Sequence, residues 1–223
     1  MFVYPPQAAL NRTLPKSKIY GHAKPGRGIR ERFVAQVSDI VWKYKLAPET
    51  LNLPARGAVA EIQVFEITLK TGELSEDVLR TLDKAIPSRL LFEIRFEERV
   101  RFAATFKRPS EADRRKSVLD TYFETPWQAA SAPRLPLPVA LDLAGLYEQM
   151  LQAHVKASPL SMLPRPGEGV EAMVARANLI RAKERECEKL EVRLHKEIQF
   201  NRKVELNAVL RVRRAELAEL QQQ

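Results

Sequence analysis

The residues with the strongest claim to chemistry are Glu66 and Glu93. Each lies in a stretch rich in β-branched and aromatic residues, "EIQVFEITLK" and "RLLFEIRF", with Lys70 and Arg95 nearby. Metal-dependent nucleases hold Mg²⁺ with carboxylates on adjacent strands, and a neighbouring cation offsets the charge that develops. Here Lys70 follows Glu66 by four residues, which puts both on one strand face but is not the acid-x-Lys triplet of such enzymes. An ion pair or a solvated strand end uses the same residues without catalysis, so no catalytic residue is assigned. Cys187 falls on an apolar helical seam with no base indicated, where it serves as a small packing group. "KPGRG" (24–28) has glycines and a cation but neither Walker spacing nor a preceding strand. A single cysteine with three scattered histidines, His22, His154 and His195, does not make a structural zinc site. No metal or cofactor is expected, and the sequence leans away from an enzyme.

Contact with phosphates is a stronger signal. Residues 1–33 hold seven Lys/Arg against one acid, residues 34–169 hold eighteen of each sign, and residues 170–223 hold twelve basic against nine acidic groups. The surplus behind the formal charge of +9 therefore lies at the two ends, a pattern suited to approaching a polyanion. In the first stretch Arg12, Lys16, Lys18, Lys24, Arg27 and Arg30 are candidates to neutralise phosphates, with Tyr20 as a stacking platform. Arg202, Lys203, Arg211, Arg213 and Arg214 form a second candidate patch. A solubilising terminus, or an arm that docks on an acidic protein surface, is the competing reading.

The elements that would position these groups follow from pattern. Pro15, Gly21, Pro25, Gly26 and Gly28 interrupt every period in residues 1–28, predicting an extended or loosely docked basic arm. "GIRERFVAQVSDIVWKYKL" carries apolar residues at steps of three and four and predicts an amphipathic helix. "AVAEIQVFEITLKTG" predicts a central strand and "LSEDVLRTLDKAIP" a helix started at Ser75. "RLLFEIRF" and "VRFAATFK" predict two strands turning at Glu97-Glu98, with a further short strand in "VLDTYFETPW". The expected fold class is α/β (α+β). A small mixed sheet with helix-strand-helix-strand-strand order spans residues 29–130, and its strand-helix-strand unit favours parallel pairing. A proline linker, "APRLPLP", and a helix with Leu143, Tyr147, Met150, Leu151 and His154 on one side fill 131–157. A second linker spans 158–169.

From residue 170 onward there is neither Gly nor Pro, predicting a long C-terminal helix or coiled coil over 170–223. Its seam runs Met173, Ala177, Ile180, Glu184, Cys187, Leu190, Leu194, Ile198, Arg202, Leu206, Leu210, Arg213, Leu217 and Leu220. The mean step is about 3.6, short of a strict heptad and concentrated in steps of four around "KEIQFNRKVELN". An unbroken rod would reach roughly 75 Å. Its apolar stripe needs burial against a second copy of the tail, the 143–154 helix or another protein. Leu190, Leu194, Ile198, Leu206, Leu210 and Leu217 are the candidate partner-binding residues. Asn201 is either a register device among them or a residue turned to solvent.

The stretches "LPKSKIY", "IVWKYKLAPETLNLP", "EIQVFEITLK", "LDKAIPSRLLFEI", "YFETPW" and "KEIQFNRKVELN" together cover most of the chain. In them it resembles an uncharacterised bacterial family known only as a domain of unknown function. The resemblance implies a neighbourhood of helicases and DNA methyltransferases in restriction-like, phage-defence clusters, and so an accessory role there. It carries over no catalytic residue. The resulting expectation is a non-catalytic adaptor of a DNA-acting complex whose partner is a helicase or methyltransferase subunit, with homodimerisation through the tail and DNA contact as open possibilities. A nucleic-acid-binding module is the alternative, and a metal-dependent nuclease a weaker one. No span long enough to cross a membrane and no secretory signal is visible, and with a lone cysteine the expected compartment is the cytoplasm.

Overall fold

The computed structural model describes residues 1–110, 117–160, 162, 165 and 167–222. The chain divides into two units, 1–159 and 160–223, each taken by itself below. Among the described residues no helix is long and apolar enough to cross a membrane.

The first unit is a seven-stranded sheet with helices: an α+β architecture, as the sequence predicts. Strands β1 (Ala9–Thr13), β2 (Val37–Leu46), β3 (Ile62–Leu69), β4 (Arg89–Phe96), β5 (Arg99–Pro109) and β6 (Ser117–Glu124) lie in that order, and β7 (Gln128–Ala129) also pairs with β5. All pairings are antiparallel except β3–β4, which run parallel because α4 (Glu76–Ala85) carries the chain across between them. That crossover is the unit that the sequence marks with "EIQVFEITLK", Ser75 and "RLLFEIRF". The β4–β5 turn is made by Glu97, which takes the left-handed conformation at φ 52° in place of an asparagine or glycine.

Alternation along the strands separates two faces. Phe65, Ile67, Leu90, Phe92 and Ile94 enter one core together with Ile19, Phe33, Val78, Leu79 and Leu82. These last five come from α1 (Lys16–Ala23), α2 (Arg27–Gln36) and α4, which therefore cover that face. Lys107 is fully buried beside it. Its ammonium donates to the carbonyls of Asp83 (2.7 Å), Ile86 (2.5 Å) and Ser88 (3.0 Å), which would otherwise go unsatisfied at the end of α4. The Asp83 carboxylate lies 3.5 Å from that ammonium and accepts from the Tyr122 hydroxyl, yet burial still pushes it up to about 6. Helix α5 (Leu143–Ala157), capped by Asp142 through Gly145 N–H, belongs to the opposite face. There Tyr147 donates to Thr105 O at 2.7 Å and lies beneath Arg89, the β4 residue alternate to Leu90. The predicted inward side of α5, Leu143, Tyr147, Met150, Leu151 and His154, is buried throughout.

Three sequence expectations are corrected. The basic arm is not extended: residues 9–13 form the edge strand β1 on β2, with Arg12 opposite Trp42 and Thr13 opposite Val41, and α1 follows. The prolines and glycines read as breakers are punctuation between short elements. Pro15 caps α1, Lys24 ends it in the left-handed conformation, and Gly26 precedes α2. The helix expected over "GIRERFVAQVSDIVWKYKL" stops at Gln36, where a run of β-branched and aromatic residues enters the sheet as β2. Its bulge between Trp42 and Tyr44 breaks the alternation that would have exposed it as a strand. The proline linker is docked, not a free spacer: Leu135 exchanges hydrogen bonds with Met1 O (2.8 Å) and Val3 N (2.7 Å).

The second unit corrects the rod. The tail is α6 (Val170–Lys196) and α7 (Phe200–Gln222), folded back on each other. Pairs between them run antiparallel: Arg176 to the Leu220 carbonyl, Lys183 to Glu216 and Arg214 to Glu191. The chain leaves helix at Glu197, whose carboxylate accepts from Ile198 N and Gln199 N, both at 2.9 Å. These contacts satisfy amides that the break would leave bare, without Gly or Pro. The break falls inside "KEIQFNRKVELN", where the seam's steps of four accumulate. At roughly 1.5 Å per residue α6 extends about 40 Å, so the span of an unbroken rod is not reached. Of the proposed 158–169 linker, residues 161, 163, 164 and 166 lie outside the described residues.

Candidate functional site

The β3–β4 register sets Glu66 directly beside Glu93 on adjacent parallel strands, the arrangement that suggests a metal pair. Their partners argue otherwise. Glu93 is 1% exposed and receives a two-pronged contact from Arg134, at 2.7 and 3.0 Å, while Lys43 lies 3.7 Å away. Glu66 pairs with Lys43 and, at 2.7 Å, with Arg95. Three cations thus surround two carboxylates, and a divalent ion would have to displace the Arg134 fork from a buried acid. Lys70, the expected neighbour of Glu66, instead donates to Val34 O at 2.8 Å. Among the described residues no group of three or more His, Cys, Asp or Glu could hold a metal. The cluster works as a polar clamp that ties the docked 131–140 segment to the sheet.

The N-terminal cations divide into two sets. Lys16 donates to Val37 O at 2.6 Å, and burial draws its ammonium below the ordinary lysine value. Arg27 pairs with Glu31, and Arg30 donates to Pro25 O while its guanidinium lies 5.4 Å from the Tyr20 ring centroid. Tyr20 is half-buried, meets Phe33 edge-on at 5.5 Å and is covered by Arg30, so it offers no open face to a base. Arg12, Lys18 and Lys24 are exposed and form no ion pair among the described residues.

In the hairpin, α7 presents two faces, separable by 100° of turn per residue. Leu206, Leu210, Arg213, Leu217 and Leu220 point toward α6. Leu210 is buried, and Arg213 shares Glu216 with Lys183 at 2.9 and 2.7 Å. On α6, Ile180 and Cys187 are buried on the same face as Arg176 and Lys183, which reach α7. Leu190 and Leu194 are half-buried farther along. Most of the predicted seam therefore closes the hairpin on itself and is not free for a partner. The exceptions are Ile198, 91% exposed in the turn, and Arg202 just after it. Arg176 secures the other end. It is buried, holds Glu168 at 2.8 Å and keeps that carboxyl below its usual range.

The opposite face of α7 carries a stripe that the leucine seam conceals. Phe200, Val204, Ala208, Val212 and Ala215 recur at steps of four, four, four and three, all outward. Phe200 is 77%, Val204 53% and Val212 57% exposed. Asn201 and Arg211 fall within this arc and are exposed, as are Arg202 and Lys203 near the turn. Arg214 is engaged by Glu191 at 2.8 Å. The signal was present in the sequence as valines at helical spacing, but the leucine periodicity, equally helical, outweighed it.

No curated protein and no solved structure matches the chain. The family model described as "Domain of unknown function (DUF4391)" matches residues 2–217, and the chain belongs to that family.

Proposed function

We propose that the protein is a non-catalytic assembly subunit that joins its complex through the outer face of α7. The observation that carries this reading is the exposed stripe Phe200–Val204–Ala208–Val212, continued into the turn by Ile198. A helix surface of this kind stays wet only at a cost, and it suits an amphipathic partner helix that offers apolar knobs at the same spacing. Arg202, Lys203 and Arg211 on or beside the stripe call for carboxylates on that partner. The earlier resemblance extends the proposal to a DNA-acting, restriction-like defence complex, with a helicase or methyltransferase subunit as the partner. The test is Val204→Asp with Val212→Asp in the intact chain, read by co-purification and light scattering. Loss of a co-purifying protein, with the hairpin still helical, supports the reading. Unchanged partner and unchanged mass remove it, and a dimer mass lost in the variant assigns the stripe to a second copy instead.

A second reading rests on Arg12, Lys18 and Lys24, exposed cations that form no ion pair among the described residues. They suit phosphate contact by the sheet unit, the nucleic-acid-binding alternative. Replacing all three by Gln lowers the salt slope of DNA affinity by two to three units, about 0.9 per contact, if they bind duplex phosphates. An unchanged slope dismisses it.

A further inference from the structure

Within the sheet unit a cleft of about 720 Å³ opens between the 56–59 turn, the start of α5 and strand β5. Arg89 lines it and is only 7% exposed. Its guanidinium forms no hydrogen bond or ion pair among the described residues, and Nε is fully buried without a partner. The guanidinium lies over the Tyr147 ring, 5.9 Å from its centroid. Buried arginines are almost always matched by a carboxylate or by carbonyls, because the desolvation of an unmatched cation goes uncompensated. The acids around the cleft do not fill that role. Asp142 is taken by Arg56 at 3.0 Å and by Gly145 N–H at 2.8 Å, Glu148 is exposed, and Asp83 is held by Lys107 and Tyr122. Arg108 adds positive charge to the same lining. Phe106, Val139 and Leu141 supply an apolar wall, the last two largely exposed.

We propose that this cleft binds a small phosphate monoester, with Arg89 as the fork that receives the phosphoryl oxygens and the Phe106–Val139–Leu141 wall covering the organic part. A planar guanidinium matches two phosphoryl oxygens at once. The volume is that of a small-molecule site and exceeds what an inorganic ion needs. The site lies in the sheet unit, so its fate is independent of the hairpin reading.

The experiment uses the full chain with phenyl phosphate and inorganic phosphate as probes, against chloride at matched ionic strength, read by calorimetric titration and thermal melting. Saturable binding of both is expected, with phenyl phosphate tighter by about tenfold from its buried ring. Arg89→Gln weakens both by roughly ten- to hundredfold. It also melts no lower than the natural protein without ligand, because it removes an unmatched buried charge. Val139→Trp, which leaves Arg89 in place and fills the cleft from an exposed position, abolishes phenyl phosphate binding with the fold intact. No saturable binding, or binding unchanged in both variants, overturns the proposal. So does a drop in melting temperature of Arg89→Gln without any loss of ligand affinity, which would make Arg89 structural. Equal affinity for the two probes overturns the assignment of an ester.

Discussion

The sheet unit and the helical hairpin both keep apolar surface from water, but with different reserves. In the sheet unit, side chains from α1, α2, α4 and five strands converge on one core, and two of its buried charges have assigned partners: Lys107 on three carbonyls, Glu93 on Arg134. The hairpin is held by the interface between α6 and α7. Its charges, Lys183, Glu216, Arg213 and Arg214, keep part of their surface in water, and Arg176–Glu168 is its one buried pair among the described residues. The lesson is that a polar contact matters in proportion to what it would cost to leave it unmade, which is large within the sheet unit and small along the hairpin.

Lys107→Met is the sharpest way to test that contrast. It leaves three carbonyls bare and Asp83 without its cation, and a loss of about 3–5 kcal/mol in urea unfolding of the sheet unit is expected. A loss under about 1 kcal/mol would mean that water replaces the ammonium, and the contrast between the units would fall.

The next effect comes from pH. His154 is buried, donates from Nδ1 to Met150 O at 2.8 Å, and burial lowers it to about 4. Its folded value lies below the unfolded one, so its contribution is complete above pH 6.5 and is lost as pH falls toward 4, up to about 3 kcal/mol. Asp83 acts in the other sense. Raised from 3.8 to about 6, it favours the fold below pH 3.8 and that contribution is lost as pH rises through 6. The two nearly cancel between pH 4 and 6, and a shallow profile is expected there. In His154→Gln the rise with pH that His154 supplies is gone while the Asp83 fall stays, so the variant should lose stability relative to the natural protein from pH 4 to pH 6. A variant profile parallel to the natural one removes His154 from the account.

A smaller loss is expected in the hairpin. Leu210→Ala takes a buried leucine from the α6–α7 contact and should weaken it by about 2 kcal/mol, the low end for such truncations because a thin interface relaxes readily. Hydrogen exchange distinguishes the units: α6 and α7 amides should lose protection while β3 and β4 amides keep theirs. Equal losses in both would show that the units open together.

What the sequence made legible follows the range of the interactions involved. The β3–α4–β4 unit, the β4–β5 hairpin and the inward side of α5 rest on local period and caps, and they were readable. Strand β1 was not, because "LNRT" becomes a strand only when β2 offers it a partner. The Lys107 clamp was not either, since its acceptors are carbonyls about twenty residues away whose positions depend on α4. In the hairpin both faces of α7 were written in the sequence, one in leucines and one in valines. The turn between the helices was hidden because Glu197 supplies with a side chain what Gly or Pro would announce. The apolar periodicity thus identified which residues face inward without saying that the tail itself is what they face.

That ambiguity gives the smallest and most discriminating test. In the folded-back hairpin Lys183 lies 2.7 Å from Glu216 and 3.6 Å from Glu186. Lys183→Glu sets three acids together at a height where only antiparallel folding brings residues 183 and 216 into contact. The pair is only partly exposed but open to salt, so the loss should be small, largest at low salt and reduced at about 0.5 M, where the screening length falls to a few ångströms. Restoring the charge with Glu216→Lys should recover α7 protection at low salt. If the tail were a continuous rod, residues 183 and 216 would lie roughly 50 Å apart along it, and no second change at 216 could repair the first.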